Sequence, residues 1–165
     1  MADQGPPARQ PPACQLTAVE AVRSLARASR LLEQASGELN LAHYRVLAAI
    51  ASGDQRASRI ATKLALGKPT VSASVESLCQ RGLLVRSAVT GDQRAAALSL
   101  SEEGWRLLER VESAMTAWLE RVCERTPEGD GVLRALGSMG RAIEEMAAER
   151  HAHALGPQLP PGTVA

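Results

Sequence analysis

Behind a single lysine, the stretch Lys68-Pro69-Thr70-Val71-Ser72-Ala73-Ser74 gathers short polar side chains of the kind that touch a polyanion. Hydroxyls donate to and accept from base edges and phosphate oxygens, while a lysine holds a phosphate as a point charge. Further along, Arg86, Asp92 and Arg94 surround the turn signal Thr90-Gly91. An arginine at a hairpin tip reaches into a minor groove, where a narrow A·T-rich segment attracts guanidinium, and an aspartate two residues earlier is in range to pair with it. The blander readings are a solvated helix face and a surface ion pair worth little to stability.

Catalytic chemistry finds no comparable support. Gly67-Lys68 looks like the end of a phosphate-binding loop, but that motif needs glycine where Thr62 stands and Ser or Thr where Pro69 stands. There is no HExxH, no G-x-S-x-G and no paired-cysteine ligand set. His151 and His153 have no Cys or His neighbour in range, so neither a metal nor a cofactor is expected and the chain does not read as an enzyme. Cys14, Cys79 and Cys123 are odd in number and widely spaced, which suits reduced thiols. Arg23, Arg27 and Arg30 recur at helical spacing and share one helix face, usually a solvated one.

The elements that must position these residues follow from periodicity. Leu16, Val19, Val22, Leu25, Leu32 and Leu39 predict a long first helix over about 16–38, closing near Gly37. A second helix over 42–51 stops at Ser52-Gly53, and a third runs over about 57–65. After the joint Leu66-Gly67 a fourth starts at Lys68 or Pro69, turns Val71, Val75 and Leu78 inward and ends at Gly82. Two short helices about a tight joint make a helix-turn-helix. The period then changes: Leu83–Ser87 and Ala95–Leu100 read as strands about a turn over 88–94. Ser101 caps a fifth helix with Trp105, Leu108, Val111, Met115, Trp118 and Val122 in one stripe, and a sixth over about 129–148 carries Leu133, Leu136, Met139, Ile143 and Met146. The expected fold is mostly α with one small β-hairpin, a winged helix-turn-helix with long dimerisation helices.

Charge is distributed to match. The chain of 165 residues has net charge +1, but residues 54–94 hold seven basic side chains against three acids, and residues 101–150 hold seven against eleven. A basic middle beside an acidic remainder suits a DNA-binding lobe joined to one that does not bind. An apolar content of 45% excludes disorder, and no run is long enough to span a membrane, so no membrane partner is expected. MADQGPPARQPPAC lacks a basic segment leading into an apolar one, so the expected address is cytoplasmic. Residues 1–13 and 155–165 are expected as flexible tails around a body at 14–154, with dimerisation helices at 16–39 and 101–150 and a DNA-binding lobe at 42–100.

The stretch IATKLALGKPTVSASVESLCQRGLLVRSAVTGDQRAAALSLSEEG resembles the MarR family of winged-helix transcriptional regulators. Ile60-Ala61, Leu64, Thr70-Val71, Leu78, Gly82-Leu83, Arg86, Asp92, Arg94, Leu100 and Gly104 fit its pattern without a gap. The resemblance implies a homodimer that binds a pseudo-palindromic site in double-stranded DNA, usually as a repressor. It implies contacts from Lys68, Pro69, Thr70, Ser72 and Ser74 on the recognition helix and from Arg86, Asp92 and Arg94 on the wing. It further implies a small-molecule effector, phenolic or anionic, in a cleft bordered by the first helix, with Arg23, Arg27, His43 and Tyr44 facing it. Cys14 with Tyr44 is similar to an arrangement with which some members sense oxidants. Ala73 stands where many relatives carry a basic residue, Gly67 where they carry a Ser or Thr cap, and Gln93 removes a wing cation. Two other readings therefore remain beside a DNA-binding regulator: a winged-helix module for protein partners, and an oxidant sensor built on Cys14.

Overall fold

The computed structural model describes residues 13–89 and 92–155, with side chains described over 18–87, 97–150 and at His153. The turn residues Thr90-Gly91, residues 1–12 and 156–165 of the expected tails, and the side chains of Cys14, Asp92 and Arg94 lie outside that description. Six helices and one hairpin follow the order α1 Ala13–Ala35, α2 Leu41–Ala51, α3 Ala57–Lys63, α4 Lys68–Gln80, β1 Leu84–Val89, β2 Asp92–Leu100, α5 Glu102–Cys123 and α6 Gly129–Leu155. Among the described residues no helix is long and apolar enough to cross a membrane.

Local chemistry explains most of the boundaries. α1 starts at Ala13 and ends at Ala35, ahead of the expected 16–38, because Ser36 turns its hydroxyl back to the Glu33 carbonyl (2.7 Å) and Gly37 takes φ +57°. Asn40 caps α2 by accepting the amide of His43 at 2.8 Å. α6 continues to Leu155, beyond the expected 148.

The joint inside the helix-turn-helix differs from expectation in an informative way. α3 stops at Lys63, and the left-handed residue is Ala65 (φ +51°), while Gly67 takes an ordinary φ of −62° and caps α4. Leu66 donates to the Ala61 carbonyl at 3.0 Å and Ala65 to that of Thr62 at 3.1 Å, the paired bonds of a Schellman turn. α4 ends the same way with the residue suited to it: Gly82 at φ +70° donates to Cys79 and Leu83 donates to Leu78, each at 2.9 Å.

The hairpin is anchored at both ends. β1 and β2 pair antiparallel from Leu84↔Leu100 to Ala88↔Ala96, after which the register jumps to Val89↔Asp92. Both strands therefore run closer to the tip than predicted, and Arg94 lies in the offset segment of β2 rather than in the turn. On the far side β2 ties into the loop before α3, where Leu98 donates to the Gln55 carbonyl at 2.8 Å. At the base Ser101 binds three ways: its amide donates to Leu83 (3.0 Å), its hydroxyl donates to Gly82 (2.6 Å) and accepts the Gly104 amide (3.0 Å). α5 sits so close here that a Cβ on Gly104 would lie 2.1 Å from the Leu83 carbonyl oxygen, so only glycine fits.

One core joins these elements. Leu47, Ile60, Val71 and Leu78 are each wholly buried, and α5 closes the core with Leu107, Leu108, Val111 and Met115. Met115, which spacing places in the stripe of a dimerisation helix, is therefore buried within the single chain. Trp105, placed in the same stripe by spacing, is half exposed at the start of α5. α1 packs against α5, and the distal part of α6 folds back onto α3.

Candidate nucleic-acid interface

The burial of α4 sorts its residues cleanly. Val71, Ser74, Val75 and Leu78 are buried, and Lys68, Pro69, Thr70, Ser72, Ala73, Glu76 and Gln80 are exposed. Ser74 thus corrects the sequence reading. It was expected to share the open face of Thr70, yet it lies three residues after Val71 and four before Leu78, which at 3.6 residues per turn puts it in the inward seam. A buried serine cannot reach a groove without unpacking the helix. The signal was in the spacing, and the polar side chain obscured it.

Glu76 and Gln80 reach the open face although sequence reasoning assigned them no role. Both follow from the same arithmetic, since they lie seven and eleven residues past Pro69. Arg86 is exposed on β1 opposite Leu98. Of Arg94 only the backbone is described, within β2.

Beside the start of α4 the structure gathers cations that the sequence left unassigned. Arg59 and Lys63 project from α3 next to Lys68, and Asp54, only 13% exposed in its side chain, holds Lys63 at 3.0 Å and Arg59 at 3.6 Å. These residues line a cavity of about 570 Å³, together with Ser58 and Thr62 and, from α6, Glu144, Ala147 and Ala148. Nothing in the local spacing signalled this site, because it forms only where α6 returns onto α3.

The expected effector residues are placed elsewhere. Arg23 and Arg27 are exposed on α1, and neither they nor His43 and Tyr44 line that cavity. His43 lies near Arg81, and burial followed by that guanidinium lowers its pKa below the usual histidine value. Tyr44 lies near the Glu112 carboxylate of α5; burial first, then the charge of Glu112 and hydrogen bonding to it, raise its pKa above the usual phenol value. The two neighbours therefore point into different surroundings. Of the cysteines with described side chains, Cys79 is partly covered and Cys123 is buried. Among the described residues no group of three His, Cys, Asp or Glu is placed to hold a metal ion.

A recognition-type helix with one buried seam and one open face, a hairpin fixed beside it and long helices on both sides define a winged helix-turn-helix protein. The sequence profile of the MarR family matches residues 38–95, the segment from the end of α1 through most of the wing. That segment is similar to the MarR family, and the fold of the chain is that of solved MarR-family transcriptional regulators. A MarR-family transcriptional regulator from Rhodococcus sp. RHA1 superposes with a TM-score of 0.67 at 21% identity, over 82% of this chain and 96% of that one. Staphylococcus aureus MarR, in complex with salicylate and kanamycin, gives 0.69 at 19% identity over 82% and 93%. The apo form of Escherichia coli MarR gives 0.62 at 16% identity over 79% and 98%. No curated protein matches the sequence.

Proposed function

We propose that the chain is a homodimeric DNA-binding transcriptional regulator, a cytoplasmic repressor that holds a pseudo-palindromic operator and releases it when a small phenolic or anionic molecule binds. The observation that carries this reading is the open face of α4, set opposite its buried seam and flanked by a hairpin tied to the loop before α3 and to the start of α5. Lys68 and Arg86 hold phosphates, Thr70 and Ser72 meet base edges, and Arg94, directed by Asp92, enters the minor groove. Ser74 has no part in the contact. Twofold symmetry supplies the second half-site, and the exposed apolar residues Ile143 and Met146 of α6 and Val22 of α1 supply the surface between subunits.

The effector site we favour is the cavity between α3 and α6, because Lys68 belongs to both the cavity and the DNA-facing end of α4. An anion that recruits Lys68 withdraws a cation from DNA. The set Arg23, Arg27, His43 and Tyr44 is the competing site, and the two separate on titration with salicylate: Lys63→Gln weakens the ligand at the first and leaves the second untouched.

Selection of bound duplexes from a random pool, followed by sedimentation of the complex, tests the reading. The expected result is a twofold-symmetric consensus, with half-sites about one helical turn apart, that carries two chains. A chain that enriches no sequence, or binds as a monomer, would overturn it.

A further inference from the structure

The open face of α4 carries an acid at its centre. With 3.6 residues per turn, Pro69, Ser72, Ala73, Glu76 and Gln80 fall along one line of the helix, opposite Val71, Val75 and Leu78. Pro69, Ser72, Ala73 and Glu76 occupy the i, i+3, i+4, i+7 spacing with which a homeodomain helix reads the major groove. Proline and alanine offer a groove no polar group, and serine offers only a short one. Glu76 is the first side chain on this line with both the length and the acceptors to meet a base edge.

Nothing on its own helix engages the carboxylate. Its neighbours one turn away are Ser72, Ala73, Cys79 and Gln80, none of them a cation, and none of the ion pairs among the described residues includes it. An anion facing a phosphate-lined groove weakens binding to DNA of any sequence, unless it meets a donor there. The major groove offers two donors, the cytosine N4 amine and the adenine N6 amine. Adenine also presents N7, an acceptor that a carboxylate cannot satisfy, and guanine presents acceptors alone. Cytosine N4 is the match, and guanine is repelled.

Resting on the DNA-binding reading above, we infer that Glu76 is a further specificity-determining residue of α4 beside Thr70 and Ser72, and that it selects a cytosine in each half-site by accepting from the N4 amine. The missing cation at Ala73 fits this: a basic side chain one turn before Glu76 would pair with it and occupy its acceptors. At this position the helix reads by an acid and excludes guanine, in place of the arginine-to-guanine contact that is commonest in major grooves.

Selecting duplexes from a random pool with the full-length parent, Glu76→Gln and Glu76→Ala at one fixed salt concentration tests the inference. Glu76 is exposed, so all three chains are expected to fold alike, which circular dichroism checks. The parent consensus should hold cytosine at one position of each half-site. In Glu76→Gln that position should change to adenine, whose N6 and N7 an amide contacts together, and in Glu76→Ala it should become degenerate. Replacing that cytosine by guanine should weaken the parent about 5- to 150-fold per half-site, with far less effect on Glu76→Ala. An identical consensus for all three proteins would overturn the inference and leave the DNA-binding reading standing. A parent that enriches no sequence would overturn both.

Discussion

The winged-helix segment and the long helices around it solve the burial problem differently. The most deeply buried large side chains, Leu39, Leu47, Val46, Ile60, Val71, Val75 and Leu78, all lie between the end of α1 and the end of α4. The most exposed apolar ones, Val22 at 66%, Met146 at 59% and Ile143 at 53%, lie on α1 and α6. The lobe closes its core within one chain with α5 as its lid, whereas α1 and α6 carry apolar residues that the single chain leaves open. Patches of that kind on soluble proteins mark interaction sites. The lobe is therefore the part to change when asking about folding, and the helices are the part to change when asking about assembly.

The sharpest way to break this comparison is to truncate one apolar side chain in each region. Leu47→Ala should cost about 2–5 kcal/mol of stability in urea unfolding, because it empties a wholly buried site. Val22→Ala should stay within about 0.5 kcal/mol at concentrations where the chain is monomeric, and should instead weaken dimerisation in sedimentation. Equal costs for the two would show that α1 is part of the folding core.

Gly104→Ala comes next. Its new Cβ would meet the Leu83 backbone oxygen, which no rotamer change can move, so the base of the wing must shift. A loss of about 1–3 kcal/mol in thermal unfolding is expected, and DNA affinity should fall with it. Full stability in this variant would mean that α5 docks more loosely than the Ser101 contacts imply.

A smaller effect of opposite sign is expected at Ala65. A left-handed alanine is strained by roughly 1–2 kcal/mol, partly offset by the greater freedom glycine has in the unfolded chain. Ala65→Gly should therefore stabilise the lobe by up to about 1 kcal/mol and raise Tm by a few degrees, read by calorimetry. Gly82→Ala, at the equivalent turn after α4, should do the reverse.

The smallest effect is one of pH. His43 has a lowered pKa in the folded chain, so as pH falls through the ordinary value of 6.5 the unfolded chain takes up the proton first and stability is lost. The loss levels off below the folded pKa, and above pH 6.5 His43 contributes nothing. Urea midpoints measured across this range should decline toward acid in the parent and decline less in His43→Gln.

What the sequence disclosed, and what it withheld, divides along similar lines. Contacts within a few residues were legible: the inward run Val71, Val75 and Leu78, the Ser101 cap, the left-handed Gly82 and the change of period after it. Ala65 was not, because Gly67 stood nearby as the more obvious residue for a left-handed turn and the structure used it as a helix cap. Ser74 was misread because side-chain polarity was weighed above its position in the seam. The cluster of Arg59, Lys63 and Lys68 with Glu144 was invisible because it depends on α6 returning across some 80 residues of chain to α3. Local spacing carries information about faces, and it carries none about which distant face arrives opposite.

The central claim, that the open face of α4 reads DNA, is tested most directly by the affinity of Thr70→Ala/Ser72→Ala for the selected duplex and for a scrambled one at the same salt. Both side chains are exposed, so the variant should fold as the parent does. Affinity for the selected duplex should fall about tenfold to a hundredfold through lost base-edge contacts, while affinity for the scrambled duplex, held by phosphates, stays level. A variant that discriminates between the two duplexes as well as the parent does would contradict the claim.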